Sequence, residues 1–459
     1  MGDTNRDPWA RFQPNTERPW DRRLAAHLLR RAGFGGTAAD VEESVRRGME
    51  DTVRWLLGVP PPEEGFGRTL RDAVRDLAVQ DEVEDLRARW IHRMVHTPYP
   101  LQEKMTLFWH GHFATSIEKV VDPGLMQAQN DTLRRNAVGR FGDMLGAISR
   151  DPAMIVWLDG EVNRRGRPNE NYARELMELF TMGVGHYSEN DVKEVARAFT
   201  GWHRRGGEFF FDESAHDPGT KRILGRTGRF GGDDAIRILL EEDATAEFLA
   251  GKLFRFFVHP DPDPATLAPL AARLRESGYD IRGTFGTILA SEVFYSEAAY
   301  KSLIKSPAEF VIGGIQALGV RARPIALARA MARMGQNLYA PPNVAGWEGG
   351  RAWVSATTVL ARSDAALELS KARGQDVGNY FDPSLLFGDA AGPEALADRA
   401  LEILVQGEVP DSTRESIVEF ALTLEPGARI PPRAWRANLD DKARGVVHLA
   451  LSLPEYNLC

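Results

Sequence analysis

Apolar side chains recur at helical spacing along most of this chain, and this periodicity restricts the folds that the chain can form. The pattern begins after Pro19, where Trp20, Leu24 and Leu28 follow one another at intervals of four residues. Residues three or four positions apart share one face of an α-helix, so the pattern predicts helices that each bury one face. The chain is therefore predicted to be mainly α.

One region near the middle of the chain favours strands instead. Residues 208–212 contain three consecutive phenylalanines, and a turn of Asp217, Pro218 and Gly219 separates them from residues 221–224. This arrangement is typical of a short hairpin. The predicted fold class is a mainly α, multi-helix globular array with one short β-hairpin insertion near residues 208–224.

The composition is that of an ordinary globular protein and excludes a disordered or fibrous chain. Of the 459 residues, 43% are hydrophobic and 27% are charged, and 57 Lys and Arg against 65 Asp and Glu give a net charge of −8. This acidic balance argues against a dedicated nucleic-acid-binding protein. The one cysteine, Cys459, excludes an intrachain disulfide and a cysteine-based zinc cage.

The sequence also bears on membrane insertion and location. It has no stretch of about 18 uncharged apolar residues, so no membrane span is predicted. The first residues, MGDTNRDPWAR, lack the apolar segment of a secretory signal. We therefore expect a cytoplasmic protein.

Breaks in the helical pattern suggest how the chain is divided. Residues 1–18 are predicted to form a flexible N-terminal segment, and residues 19–372 the main helical domain that carries the candidate site. The stretch 373–395 is rich in Gly and Asp. After it, residues 393–459 form either a small C-terminal helical lobe or the closing layer of the same domain.

Capping residues mark several predicted helix boundaries. Thr37 precedes a helix that runs to Gly48, and Ser188 with Asp191 resembles a capping box. A long helical run is predicted over residues 67–96.

The first candidate for chemistry is the block EKMTLFWHGHF at residues 103–113. Gly111 is predicted to end a helix, so that His112 lies on the outgoing turn beside His110. Two imidazoles placed in this way can converge on a divalent metal ion. The alternative is that aromatic neighbours bury a histidine that bonds to a backbone carbonyl. A continued helix would place the two rings about 200° apart, and they would not converge.

The second candidate is a helix predicted between the N-cap Asn169 and Gly183. Asn171, Glu175 and Glu178 fall at positions i, i+4 and i+7 on one face of this helix. Two carboxylates one turn apart can bind a metal ion or supply a general base beside a polarised acid.

That second helix also permits a purely structural interpretation. Arg174 lies on the flank of the acidic face, and Glu170–Arg174 and Arg174–Glu178 pairs would make the face an ordinary solvated surface.

Two neighbouring groups leave alternatives open. Arg164, Arg165 and Arg167 precede the helix and would either bind an anion or solvate a surface loop. His216 and Asp217, at a tight turn, would either face a neighbouring cleft or serve the turn alone.

Six sequence blocks resemble, in order and spacing, the bacterial family known only as "domain of unknown function 1800". They cover the chain from about residue 20 to its end: AHLLRRAGFG at 26–35, EKMTLFWHGHF at 103–113, NENYARELMELFT at 169–181, HDPGTK at 216–221, KSPAEF at 305–310 and PPNVAGW at 341–347.

The resemblance implies little about activity but something about context. Members of this family are often exported and often encoded beside a second protein that resembles sulfatases and phosphatases, which implies a partner of that kind. This chain departs from the exported pattern, since no signal sequence is seen. The resemblance adds weight to the histidine and carboxylate positions, because they fall inside the recognisable blocks.

Our leading hypothesis is a metal-dependent hydrolase or oxidoreductase with a cleft between the helix ending at His110 and the helix at 170–182. Asn343 and Trp347, in the loop 340–350, would form one wall of that cleft. The alternative is a non-enzymatic scaffold or partner protein whose polar blocks are buried ion-pair networks. The predicted ligands of a divalent metal ion are His110, His112 and Glu175, and the predicted catalytic residues are Glu175, Glu178, Glu170, Arg174 and His216.

Overall fold

A computed structural model of the chain describes residues 7–58, 82–373, 380–425 and 428–459. The mainly α prediction is confirmed, since helices account for most of this part of the chain and its strands form only two-stranded antiparallel pairs. Of the helical run predicted over residues 67–96, the part 67–81 lies outside the described residues, and a helix spans Glu82–His96. None of the described helices combines the length and apolar character that crossing a membrane requires.

The described residues form two compact units, and each unit is assembled from separate stretches of chain. The first unit contains residues 7–12, 101–294 and 338–348. The second contains residues 13–58, 82–100, 295–337, 349–373, 380–425 and 428–459. The domain boundaries expected at residues 18, 372 and 393 stay predictions.

The first unit surrounds a core of aromatic side chains, which includes the fully buried Trp109, Phe113, Phe141, Phe180, Phe254 and Phe257. Its α-helices are Pro100–His112 (which begins at the unit boundary), Ile117–Val120, Pro123–Asn136, Phe141–Ser149, Pro152–Trp157, Glu170–Glu175, Glu189–Ala198, Gly232–Leu240, Asp243–Phe257, Pro264–Glu276 and Ile281–Ile288, with a π-helical segment at Leu176–Thr181.

The second unit is built around a buried helix at Pro307–Leu318, whose Phe310 carbonyl accepts a hydrogen bond from the Tyr456 hydroxyl at 2.8 Å. Its other helices are Arg22–Ala32, Ala38–Arg47, Met49–Leu56, Glu82–His96, Pro324–Arg333, Ala356–Ser370, Ser384–Phe387, Pro393–Val405, Asp411–Leu422 and Trp435–Ser452. A short strand pair, Thr423–Glu425 with Ala428–Arg429, follows the helix Asp411–Leu422.

Local capping chemistry sets many of these helix boundaries, as the sequence predicts. Thr37 and Asp40 form a capping box, and Ser188 and Asp191 form a second one. The Asn169 side chain accepts a hydrogen bond from the Asn171 backbone amide at 3.2 Å. Each of these caps satisfies an amide at a helix start that has no partner within the helix.

The prediction of strands near residues 208–224 is confirmed, but their pairing with one another is wrong. Glu208–Phe211 pairs with Trp202–Arg205, and Lys221–Ile223 pairs with Arg226–Gly228. Two-residue turns with positive φ angles connect each pair, at residues 206–207 and 224–225. Such turns match the twist of antiparallel strands. Each strand therefore pairs across its nearest tight turn.

A buried ion pair joins two helices of the first unit. The Arg134 guanidinium donates to both Glu103 carboxylate oxygens, at 2.6 and 3.3 Å, and the two side chains are 4% and 0% exposed. Arg134 also donates to Asn130 at 2.6 Å and to Asp131 at 2.7 Å. These added hydrogen bonds offset the cost of removing both charges from water.

We predict that Glu103→Ala destabilises the first unit by about 3–5 kcal/mol, because it leaves the Arg134 charge buried without its main partner. Urea denaturation followed by tryptophan fluorescence measures this loss. The matched control is Glu161→Ala, which breaks a partly exposed pair with Arg204 and should cost at most about 1 kcal/mol. Equal losses in the two variants would contradict the assignment.

Candidate functional site

The end of the helix Pro100–His112, which we call the hub helix, organises the part of the first unit where the sequence predicts a site. The helix continues through Gly111 to His112, so the prediction that Gly111 ends it is wrong. Gly346 (φ +82°), in the loop at residues 338–348, packs against the backbone of Gly111, where a Cβ on residue 346 would collide with the Gly111 carbonyl oxygen. Gly346 is therefore the glycine that this close approach requires, since a Cβ at Gly111 would meet only the Trp347 ring, at 3.9 Å.

His110 anchors the loop at residues 338–348. It is 1% exposed, and its Nε2 accepts a hydrogen bond from the Tyr339 backbone amide at 3.1 Å. The ring also lies 5.5 Å from the rings of both Tyr339 and Trp347. Burial lowers the pKa of His110 to about 3, so the imidazole is neutral at physiological pH.

His112 anchors a different segment, the end of the π-helical segment. Its Nε2 lies 3.1 Å from the Phe180 carbonyl oxygen, and its Nδ1 lies 3.3 Å from the Lys252 ammonium. A carbonyl only accepts, so Nε2 carries the proton and Nδ1 accepts from Lys252. Burial, followed by the charge of Lys252, holds the pKa of His112 well below its usual value.

His112 and Lys252 supply hydrogen-bond donors to carbonyl groups at the end of the π-helical segment. The last carbonyls of a helix have no amide of the same helix to bind. The Phe180 carbonyl accepts a hydrogen bond from the His112 ring, and the Leu179 carbonyl lies 3.4 Å from the Lys252 ammonium. Within the segment, the Leu176 carbonyl accepts a hydrogen bond from the Thr181 hydroxyl at 2.6 Å. Lys252 was not predicted, and burial lowers its pKa to about 8.

This geometry does not favour His110 and His112 as joint metal ligands. On a continuous helix the two rings point about 200° apart, and each uses Nε2 to hold a different backbone segment. Within the described ranges, no group of three or more His, Cys, Asp or Glu side chains is placed to bind a metal ion. The predicted divalent metal therefore stays a prediction.

The hub helix and the helix that carries Glu175 and Glu178 do meet, but through His112 and Phe180. Glu175 and Glu178 lie beyond this contact, half-buried on the side of the helix that faces away from the core. Burial, and then the charge of Glu178, raises the pKa of Glu175. We call these two residues the acidic pair.

A tyrosine holds one member of the acidic pair in place. The Tyr187 hydroxyl donates a hydrogen bond to Glu178 Oε2 at 3.0 Å. Burial and this hydrogen bond raise the pKa of Tyr187 to about 12, so it remains a proton donor over the physiological range. Sequence reasoning missed Tyr187, since nothing in its local pattern distinguishes it from a core aromatic residue.

The predicted residues around the acidic pair form surface contacts. Arg174 donates to both carboxylate oxygens of Glu189, at 2.8 and 2.7 Å, and lies 3.3 Å from Glu170. The Glu170–Arg174 pair expected from the sequence is thus present. The Asn171 amide donates to Asp159 at 3.2 Å.

His216 has a structural environment of its own. Its Nδ1 lies 2.9 Å from the Thr200 carbonyl, and the Thr200 hydroxyl accepts from the Asp217 amide at 2.8 Å. Arg197 donates to Asp217 at 2.8 Å. Across the described residues, no hydrogen bond or ion pair joins His216 to the acidic pair. These contacts hold the loop before Lys221 against the end of the helix Glu189–Ala198.

The remaining predicted residues are spread over the first unit. Arg164, Arg165 and Arg167 are exposed on their loop, and so is Asn343. Trp347 is half-buried against His110 and Gly111, where it belongs to the packing of the hub helix.

We predict that His110 makes stability depend on pH. Its pKa is about 3 in the folded state and about 6.5 when unfolded, so the unfolded chain binds more protons between these values. The contribution of neutral His110 to the free energy of unfolding is therefore complete above pH 6.5 and is lost as the pH falls towards 3. The His110→Gln variant keeps a side-chain acceptor for the Tyr339 amide but has no group that takes up a proton in this pH range.

Urea unfolding of both proteins at about pH 8 and about pH 5 measures this effect. On going to pH 5, the wild type should lose about 2 kcal/mol relative to His110→Gln. The exposed His186→Gln is the control and should follow the wild type. A difference between His110→Gln and wild type that does not change with pH would contradict a buried neutral His110.

Comparison with known proteins identifies a family. A family model described as "Protein of unknown function (DUF1800)" matches residues 27–458. Neither a curated protein nor a solved structure matches the chain.

Proposed function

Because the chain belongs to the DUF1800 family, whose description assigns no function, we propose from the geometry alone that its first unit is a hydrolase that uses the acidic pair. The observation that carries this proposal is the contrast between two neighbouring carboxyl groups. Glu175 has a raised pKa, whereas Glu178 accepts a hydrogen bond from Tyr187. Carboxyl groups in contrasting environments are the usual acid and base of hydrolytic sites.

The two groups take different roles in this proposal. Glu175, which holds its proton to higher pH than an ordinary glutamate, protonates the oxygen of the leaving group. Glu178 takes a proton from water, or attacks the substrate directly, with Tyr187 fixing its orientation through Oε2. Both schemes are known for pairs of carboxylic acids in glycoside hydrolysis.

The surrounding charges favour a neutral substrate. Glu170 and Glu189 flank Arg174 and leave it without excess positive charge, and Asp159 binds Asn171 nearby. A phosphate or sulfate ester would approach several carboxylates at once, which costs electrostatic energy. The proposal is therefore hydrolysis of a neutral glycoside, whose acetal linkage carries no charge.

An oxidoreductase and a scaffold protein are the other functions considered. A carboxyl pair that donates and accepts protons favours hydrolysis over oxidation. The scaffold interpretation describes the block at residues 103–113 well, because Glu103 lies in a buried ion pair and His110 and His112 bind backbone. It accounts less well for the acidic pair, because Glu175 and Glu178 are only half-buried and a scaffold was expected to use buried ion pairs. The partner resembling sulfatases and phosphatases stays a prediction.

We predict that Glu175→Gln and Glu178→Gln each lower hydrolysis by at least about 100-fold, because each removes one proton-transfer step. The measurement is hydrolysis of a panel of neutral 4-methylumbelliferyl glycosides by the full chain. The wild-type rate should fall on the alkaline side as Glu175 loses its proton, at a pH above the ordinary glutamate value.

Two comparisons make this assay decisive. Glu208→Gln changes an exposed strand residue of the same unit and should keep the rate within about twofold of wild type. 4-Methylumbelliferyl phosphate should be a poorer substrate than the neutral glycosides. Absence of hydrolysis across the panel, or equal activity in all variants, would refute the proposed function.

We propose a divalent metal only as the alternative to this acid–base scheme, since a metal-bound Glu175 would be ionised and could not act as the acid. We centre it on the carboxylates of the acidic pair because His110 and His112 each bind backbone through Nε2. Elemental analysis of untagged wild type beside Glu175→Gln/Glu178→Gln tests this proposal. A stoichiometric metal that disappears in the double variant supports it. The same metal content in both proteins contradicts it, and loss of metal in His110→Gln alone would restore the histidines as ligands.

A further inference from the structure

Two histidines of the second unit lie one turn apart on the helix Glu82–His96. His92 and His96 are four positions apart, a spacing that puts both side chains on one face of a helix. Their ring centroids are 4.4 Å apart and their planes are inclined by 49°, so the rings meet without stacking face to face. Among the described residues, neither imidazole takes part in a hydrogen bond or an ion pair.

The separation of the two rings suits imidazoles that share one metal ion. Metal–nitrogen bonds of about 2 Å, at an angle of about 90–110° to each other, put the ring centroids roughly 4.5–5 Å apart. The observed 4.4 Å therefore requires only a small rotation of the side chains. Histidines at positions i and i+4 on one helix face are also the zinc ligands of the HExxH motif.

The pair differs from that motif in the residue after the first histidine. In HExxH this residue is a glutamate that acts as general base, whereas here it is Arg93. In the part of the chain that the structure describes, no third His, Cys, Asp or Glu completes a metal-binding group. The pair therefore supplies two ligands, and it favours binding of an ion over peptide hydrolysis.

Both imidazoles line a cavity of about 860 Å³, which is within the size range of small-molecule sites. The Gln316 side chain is fixed at the same wall, because its Nε2 donates to the Val95 carbonyl at 3.2 Å. Its Oε1 is buried and has no hydrogen-bond partner among the described residues. Buried polar atoms normally have a partner, so this oxygen is an acceptor available to water or a ligand in the cavity.

The surroundings of the two rings favour their neutral form, which is the form that binds metal ions. Burial, and then the charge of His96, lowers the pKa of His92 to about 4, and burial also lowers the pKa of His96. Imidazole nitrogen suits Zn²⁺, Cu²⁺ and Ni²⁺, whereas Mg²⁺ and Ca²⁺ prefer oxygen ligands. The expected ion is therefore a divalent transition metal.

We propose that His92 and His96 together bind one divalent transition-metal ion, whose remaining coordination positions open into the cavity of about 860 Å³. Water or a small molecule in the cavity completes the coordination, and Gln316 Oε1 accepts a hydrogen bond from it. The site lies in the second unit and does not depend on the hydrolysis proposed for the first unit.

Titration of the full chain with zinc chloride, after removal of metals with a chelator, tests this proposal by calorimetry at about pH 7.5. His92→Gln and His96→Gln should each weaken zinc binding at least about tenfold, because the ion loses its second, intramolecular ligand. The double variant should bind little more weakly than either single variant. The exposed His186→Gln is the matched control and should bind zinc as the wild type does; thermal melts check that all variants fold.

Histidine ¹⁵N spectra locate the ion in the wild-type protein. With less than one equivalent of zinc, the ring signals of His92 and His96, assigned from the single variants, should shift together, and magnesium chloride should shift neither. Zinc at this pair should persist in Glu175→Gln/Glu178→Gln, which separates it from metal at the acidic pair. Zinc binding that survives in both single variants, or a shift of only one ring or of neither, would overturn the proposal.

Discussion

The hydrogen bond from His112 to the Phe180 carbonyl is the interaction on which the arrangement of the first unit depends. It joins residues 68 positions apart and lies inside a shell of aromatic rings, so water does not compete for it. Leaving the Phe180 carbonyl without a donor would cost about 1–3 kcal/mol. The rings around His112 are those of Phe108, Trp109, Phe113, Phe141, Phe180 and Phe248.

Three successive residues of the hub helix divide the work of holding this unit together. His110 accepts a hydrogen bond from the Tyr339 amide, the Gly111 carbonyl packs against Gly346, and His112 donates to the Phe180 carbonyl at the end of the π-helical segment. With its carbonyls satisfied by side chains, the segment does not need a regular helix end. Glu175 and Glu178 therefore lie on the outer side of a helix whose inner side is fixed by the hydrogen bonds of His112 and Lys252. π-Helical turns of this kind often occur at functional sites.

The features that the sequence predicted correctly are those decided within a few residues. The helix start after Thr37, the capping box at Ser188 and the N-cap at Asn169 use side chains that reach amides only two or three residues away. Helical periodicity is equally local, which is why the mainly α fold could be derived. The helix end expected at Gly111 was wrong because the helical hydrogen bonding continues across it, with the Phe113 amide donating to the Trp109 carbonyl at 2.8 Å.

The features that the sequence did not predict depend on distant segments. The role of Lys252 arises from a contact with His112, 140 residues away, and no pattern around Lys252 marks it. His92 and His96 lie one helical turn apart, but the cavity that they line is completed by Trp55, Gln316 and Leu327 from three other stretches. Likewise, the sequence could not tell whether the two candidate blocks meet; they do so through the Phe180 carbonyl and not through the carboxylates.

The protonation state and tautomer of His112 are the properties that most directly test this arrangement of the first unit. Long-range ¹H–¹⁵N correlation spectra of histidine-labelled protein, with the His112 signals assigned from a His112→Asn variant, report protonation and tautomer directly. A buried hydrogen bond to Phe180 predicts a neutral ring with the proton on Nε2, unchanged between about pH 8 and pH 5. An imidazole that titrates near its ordinary pKa, or that carries the proton on Nδ1, would contradict the account.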